Sequence, residues 1–178
     1  DWNNTANSTF TGPTSLTVAS YNRLCSTTRA CIPQPGTTVK VDGIGDVYVA
    51  GYTDAANFPN VSPVRSRSAG VEAWVVKVRP SESRILWATC LGGSGDDRVL
   101  ALALDPAGGV YVAGQTTSPD FPVASPAQSH LSGGRDAFLL KLSPAGDRIV
   151  FSTFYGGTSV ESGMALAAYS GGVWMVGE

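Results

Sequence analysis

The chain has 178 residues, of which 43% are hydrophobic and 15% charged, with a formal net charge of −2. That composition fits a folded β protein and excludes a disordered or coiled-coil one, and the lack of any basic cluster disfavours nucleic acid and anionic lipid as partners. No stretch approaches 18 consecutive apolar residues, so membrane insertion is not expected either.

In chain order, Asp1-Trp2-Asn3-Asn4 has neither the charged start nor the apolar run of a signal peptide, and the sequence reads as mature or excised. Asn3, Asn7 and Asn60 each open an Asn-x-Ser/Thr glycosylation pattern, which chance also produces in a chain rich in Asn, Ser and Thr. Residues 8–11 and 15–21 read as two short strands parted by the Gly12-Pro13 turn signal. Cys25 and Cys31 lie in a loop-like segment where a local disulfide is sterically easy; it would imply an oxidising, extracytoplasmic compartment, and two independent thiols are the alternative. Residues 1–36 carry these features as an N-terminal extension.

From there the chain repeats. Val47-Tyr48-Val49-Ala50-Gly51 recurs as Val110-Tyr111-Val112-Ala113-Gly114 and as Val173-Trp174-Met175-Val176-Gly177, at two equal intervals of 63 residues. Phe58-Pro59 matches Phe121-Pro122 at the same spacing, and Val39-Lys40-Val41-Asp42 matches Leu102-Ala103-Leu104-Asp105. One extra residue before Asp136 then moves the offset to 64, at which Ala73–Val78 aligns with Ala137–Leu142 and Ile85–Thr89 with Ile149–Thr153. The units run over residues 37–99, 100–162 and, incomplete, 163–178.

Each full unit holds four strands, near residues 100–104, 109–115, 136–142 and 148–155 in the second copy, with no convincing helix. Short connections favour antiparallel neighbours, so the unit is a four-stranded meander. Its first strand is small and apolar, Leu100-Ala101-Leu102-Ala103-Leu104, whereas Trp74, Phe138, Trp87, Phe151 and Phe154 sit on the third and fourth. That gradient suits blades crowded at an inner strand, and one meander cannot bury both apolar faces alone. The expected fold is all-β, a β-propeller-like array of about three blades.

The runs Leu91-Gly92-Gly93-Ser94-Gly95-Asp96-Asp97, Leu104–Thr116, Asp120-Phe121-Pro122 and Gly133–Leu142 resemble the bacterial SBBP β-propeller repeat. The resemblance spans residues 37–178 and implies a secreted or surface-exposed module without assigned catalytic residues. Residues 21–38 are more weakly similar to segments of other secreted bacterial β proteins, which points to export.

The third unit stops after its second strand, and residues 8–11 and 15–21 could supply the missing two, from the same or a neighbouring chain. Propeller rings usually need four to eight blades, which leaves a longer parent, a ring of two chains, or a head-to-tail filament joined through residues 1–36.

No catalytic, cofactor or metal site is expected. The single histidine, His130, has no carboxylate or cysteine beside it in sequence and reads as a solvated loop residue. Gly92-Gly93-Ser94-Gly95 lacks the Lys-Ser/Thr ending of a phosphate loop and reads as a turn. Asp96 and Asp97 could bind Ca²⁺ but become Val160 and Glu161 in the next copy, which favours a solvated turn. Glycosidase carboxylates could be drawn from Asp54, Asp120, Glu72 and Asp136, though nothing fixes their separation. Tyr52, Asp54, Gln115 and Asp120 would suit glycan-contacting loops. The leading expectation is a non-catalytic, extracellular or cell-surface structural or adhesive repeat that self-associates; the alternatives are a lectin-like module binding surface glycans and a fragment of a secreted hydrolase.

Overall fold

The computed structural model describes residues 38–54, 58, 61–65 and 70–178. The candidate strands 8–11 and 15–21, the Cys25 and Cys31 pair, Asn3, Asn7 and Asn60 lie outside these residues.

The described chain is all-β apart from one 3₁₀ turn at Pro80–Glu82. A first antiparallel sheet contains β1 (Thr38–Val41), β2 (Val47–Thr53), β3 (Glu72–Arg79) and β4 (Arg84–Leu91), paired in sequence order. A second contains β5 (Asp97–Leu104), β6 (Val110–Thr116), β7 (Asp136–Leu142) and β8 (Ile149–Tyr155), again in sequence order. The hairpin of β9 (Gly163–Tyr169) and β10 (Gly172–Gly177) opens a third. The second sheet begins at Asp97, three residues before the sequence boundary at 100, because the connection ends in a buried acid that the alternation of Leu100–Leu104 does not reveal.

Register explains the repeated Val-Tyr-Val-Ala-Gly motif. Between Val99 and Ala101, β5 bulges against β6, and β9 bulges against β10 at the matching place. A bulge brings backbone onto backbone. A Cβ on Gly114 would lie 1.8 Å from the Arg98 carbonyl oxygen, and one on Gly177 would lie 1.9 Å from that of Ser162. Only glycine fits there.

The sheets stack as blades. β5 lies against β1, β2 and β3, and β9 against β5, β6 and β7. Alternation then assigns two faces to each blade. Tyr48, Ala50, Ala73 and Val75 of the first sheet share one core with Leu102, Val110, Val112, Phe138, Leu140 and Leu142 of the second. The opposite face of the first sheet gathers Trp74, Val76 and Val78 with Ala88. The phenylalanine of the repeated Phe-Pro landmark is a plug from the loop after the second strand, with Phe58 5.3 Å from the Trp74 ring and Phe121 4.6 Å from Phe138. These loops return across the fourth strand through the isolated pairs Val61–Ala88 and Ala124–Ser152, which covers part of an otherwise open edge.

Candidate functional site

Two polar constellations stand at opposite ends of the blades, and the one at the turn end recurs. At the turn end, Asp42 accepts hydrogen bonds from the Ile44 and Asp46 amides, and Asp105 from those of Ala107 and Gly109. The side-chain turn works because Gly45 and Gly108 adopt φ of 88° and 83°, a left-handed conformation that glycine takes without strain. A lysine from the third strand closes each turn. Lys141 Nζ lies 2.8 Å from Asp105 and 4.7 Å from the Tyr111 ring centroid, and Lys77 Nζ lies 3.2 Å from Asp46 and 4.8 Å from Tyr48. Burial opposes ionisation of Asp105, but the Lys141 ammonium and the amides outweigh it and hold the carboxyl below its ordinary value. In the first blade the Arg79 guanidinium, 2.8 Å away, does the same for Asp46.

At the loop end, the connection between β4 and β5 is stitched to the segment following β6. Of four consecutive amides, Gly93 donates to Asp97 Oδ2 at the start of β5 at 2.9 Å, and the next three point into that segment, Ser94 to Asp120 Oδ1 at 2.8 Å, Gly95 to Ser118 Oγ at 2.9 Å and Asp96 to Thr117 Oγ1 at 2.8 Å. Successive amides of this kind make an anion nest. Here the chain's own carboxylates and hydroxyls fill it, so the Gly-rich run is a docking turn between blades. The glycines are sterically required, because a Cβ on Gly93 would lie 2.4 Å from Asp120 Oδ1 and one on Gly95 2.6 Å from Thr117 Oγ1.

Asp97 corrects the reading of Asp96-Asp97 as a solvated turn, since it is 0% exposed. It also accepts from the Thr116 and Ser118 hydroxyls. Burial pushes its carboxyl above the ordinary value and the nearby Glu72 charge adds to this, against the hydrogen bonds from Thr116, Gly93 and Ser118. Across the next connection, Asp136 and Glu161 converge on Gly156, with Asp136 Cγ and Glu161 Oε2 each 2.7 Å from where its Cβ would stand. The pairs exchange lengths, Glu72 with Asp97 and Asp136 with Glu161. Among the described residues no group of three or more His, Cys, Asp or Glu could hold a metal ion.

The glycan candidates fall at this same end. Tyr52 and Gln115 occupy equal positions in β2 and β6, and each meets the start of the next blade: the Arg98 guanidinium lies 4.9 Å from the Tyr52 ring centroid, and Ser162 Oγ donates to Gln115 Oε1 at 2.8 Å. Asp120 is exposed and takes both the amide and hydroxyl of Ser94, which hold its carboxyl below the ordinary value. Asp54 is exposed at the end of β2. His130 is exposed, with Nδ1 2.7 Å from Ser129 Oγ. Cys90 is buried in β4, opposite Trp74 of β3.

Residues 86–122 match the family model of the SBBP beta-propeller repeat. The matched segment runs through β4, the docking turn, β5, β6 and Phe121, so the repeat signature straddles two blades and coincides with the stitch between them. No curated protein matches the chain. Among the described residues no helix is long and apolar enough to cross a membrane.

Proposed function

We propose that this chain is a non-catalytic extracellular structural or adhesive repeat protein that assembles through blade faces and strand edges, as a ring or a filament. One observation carries the reading. β2 and β6 each have strands on both sides, whereas β10 pairs with β9 alone among the described residues. An unpaired strand edge is a template for strand addition. Two strands separate the β9–β10 hairpin from a full blade, the number read in residues 8–11 and 15–21. The engagement of Tyr52, Gln115 and Asp120 across or beside blade junctions supports an architectural role for the loop end. Export rests on Cys25, Cys31 and the SBBP resemblance. Sedimentation velocity over a range of concentrations tests assembly, with removal of residues 1–36 as the strand-addition arm. Mass should rise with concentration and the truncated chain should assemble less, whereas a monodisperse monomer at every concentration sinks the proposal.

A carbohydrate-binding role is the second reading, favoured by the half-buried Tyr52 ring and exposed Asp54 at one strand end. Binding to a defined sugar on a glycan array, lost in Tyr52→Ala, would establish it over a purely structural role.

A further inference from the structure

We infer that a second copy of this chain covers the exposed face of the β9–β10 hairpin with the exposed face of its own β1, joining copies head to tail. The inference rests on the assembly reading and specifies its surfaces. In β9 and β10 the side chains alternate: Leu166, Ala168, Val173 and Met175 are half-buried on the side of the second blade, while Ala165, Ala167, Trp174 and Val176 are exposed. Trp174 is 71% exposed and Val176 64%.

The repeat shows what this second face is. By register, Trp174 and Val176 stand where Tyr111 and Ala113 stand in β6 and where Tyr48 and Ala50 stand in β2. All four of those counterparts are buried. Tyr48 and Ala50 are covered by the second blade's Leu and Val face, and a Cβ on Gly163 of β9 would meet the Ala113 methyl at 3.0 Å. The exposed face is therefore the third instance of a surface that the next blade covers twice within this chain.

At the other end the inner strand of the complementary face is exposed, while Val47, Trp74, Val76 and Val78 farther out on the same sheet are buried. Leu102, 2% exposed, and the half-buried Leu104 are the inner-strand residues with which the second blade meets the first. Their counterparts in β1 are Val39 and Val41, 57% and 58% exposed. Bringing Val39 and Val41 of one copy onto Trp174 and Val176 of another would rebuild the inner-strand part of the existing blade junction between molecules. The contact is heterologous, so copies would add head to tail until a ring closes.

Two variants test it: Trp174→Arg disables the tail and Val41→Arg the head, both at exposed positions where folding can be verified by circular dichroism and thermal melting. Each variant alone should sediment as a monomer, and an equimolar mixture should form heterodimers and nothing larger, through the one intact head and one intact tail. Variants that assemble like wild type, or a mixture that stays monomeric, overturn the head-to-tail inference and leave assembly through other surfaces standing. A wild-type chain that is itself monomeric at all concentrations overturns both.

Discussion

Gly114 fixes the register of a whole blade with a missing side chain. The β5 bulge lays the Arg98 carbonyl against it, so Gly114→Ala must move backbone. Overpacking of that kind costs about 1–3 kcal/mol and more where backbone is the obstacle. Gly134→Ala, with nothing within 4 Å of the new methyl, is the control and should melt within a degree or two of wild type. Equal melting temperatures for the two variants would remove the bulge argument. Among the charges, Lys141→Met leaves Asp105, whose side chain is 8% exposed, without its cation. Charged hydrogen bonds contribute about 1.5–3 kcal/mol, and a loss in that range should appear in the urea midpoint at neutral pH. Asp105 and Asp46 have lowered folded values, so their stabilisation is complete above the ordinary 3.8 and fades as pH falls through those values. Asp97 runs the other way. Its folded value is raised, so its contribution is most favourable below 3.8 and is lost as pH rises through the raised value. Asp97→Asn should accordingly show a flatter dependence of urea midpoint on pH above about pH 4 than wild type does. An unchanged slope would assign that dependence to other groups.

At the scale of elements, the outer strands are keyed as firmly as the inner ones. Trp87 of β4 is 4% exposed and lies on the second blade's β7–β8 turn, where a Cβ on Gly146 would stand 2.3 Å from its Cδ2. Gly146 also has a φ of 69°. Trp87→Ala should cost about 3–5 kcal/mol by opening a cavity at the junction. Gly146→Ala should cost less once Trp87 has been removed, because the steric part of its penalty is gone. Additive losses in the double variant, read from urea midpoints, would show that the two do not touch. These elements also mark what the sequence makes legible. Strand identity and meander order followed from alternation and the 63-residue interval, since a strand's pattern is written within itself. The Asp105–Lys141 closure was within reach too, because Asp42, Tyr48 and Lys77 recur as Asp105, Tyr111 and Lys141. The stitch was not. Its partner segment Thr116-Thr117-Ser118 aligns in sequence with Thr53-Asp54-Ala55 of the first copy, so comparing copies dilutes the signal, and the buried state of Asp97 depends on a neighbour over 20 residues away.

Over the whole molecule, the junction between the first two sheets lays Leu and Val side chains on a face of small and aromatic residues, and among the described residues Val39 and Val41 of β1 and Trp174 and Val176 of β10 are exposed members of the two kinds of face. The proposed assembly would make stability depend on concentration, because mass action favours whatever state buries the exposed surface. Trp174 offers a direct report. Among the described tryptophans, Trp74 and Trp87 are 5% and 4% exposed, whereas Trp174 is 71% exposed. In dilute solution Trp174 should supply a red-shifted emission component that iodide quenches, and Trp174→Phe should lower the quenchable fraction. As concentration rises, the quenchable fraction of the wild-type chain should fall while the mass in solution increases. The same change should be absent in Val41→Arg, which alters no tryptophan and acts only through the opposite end. Protection of Trp174 that proceeds equally in Val41→Arg would mean that something other than a second copy's head covers the hairpin.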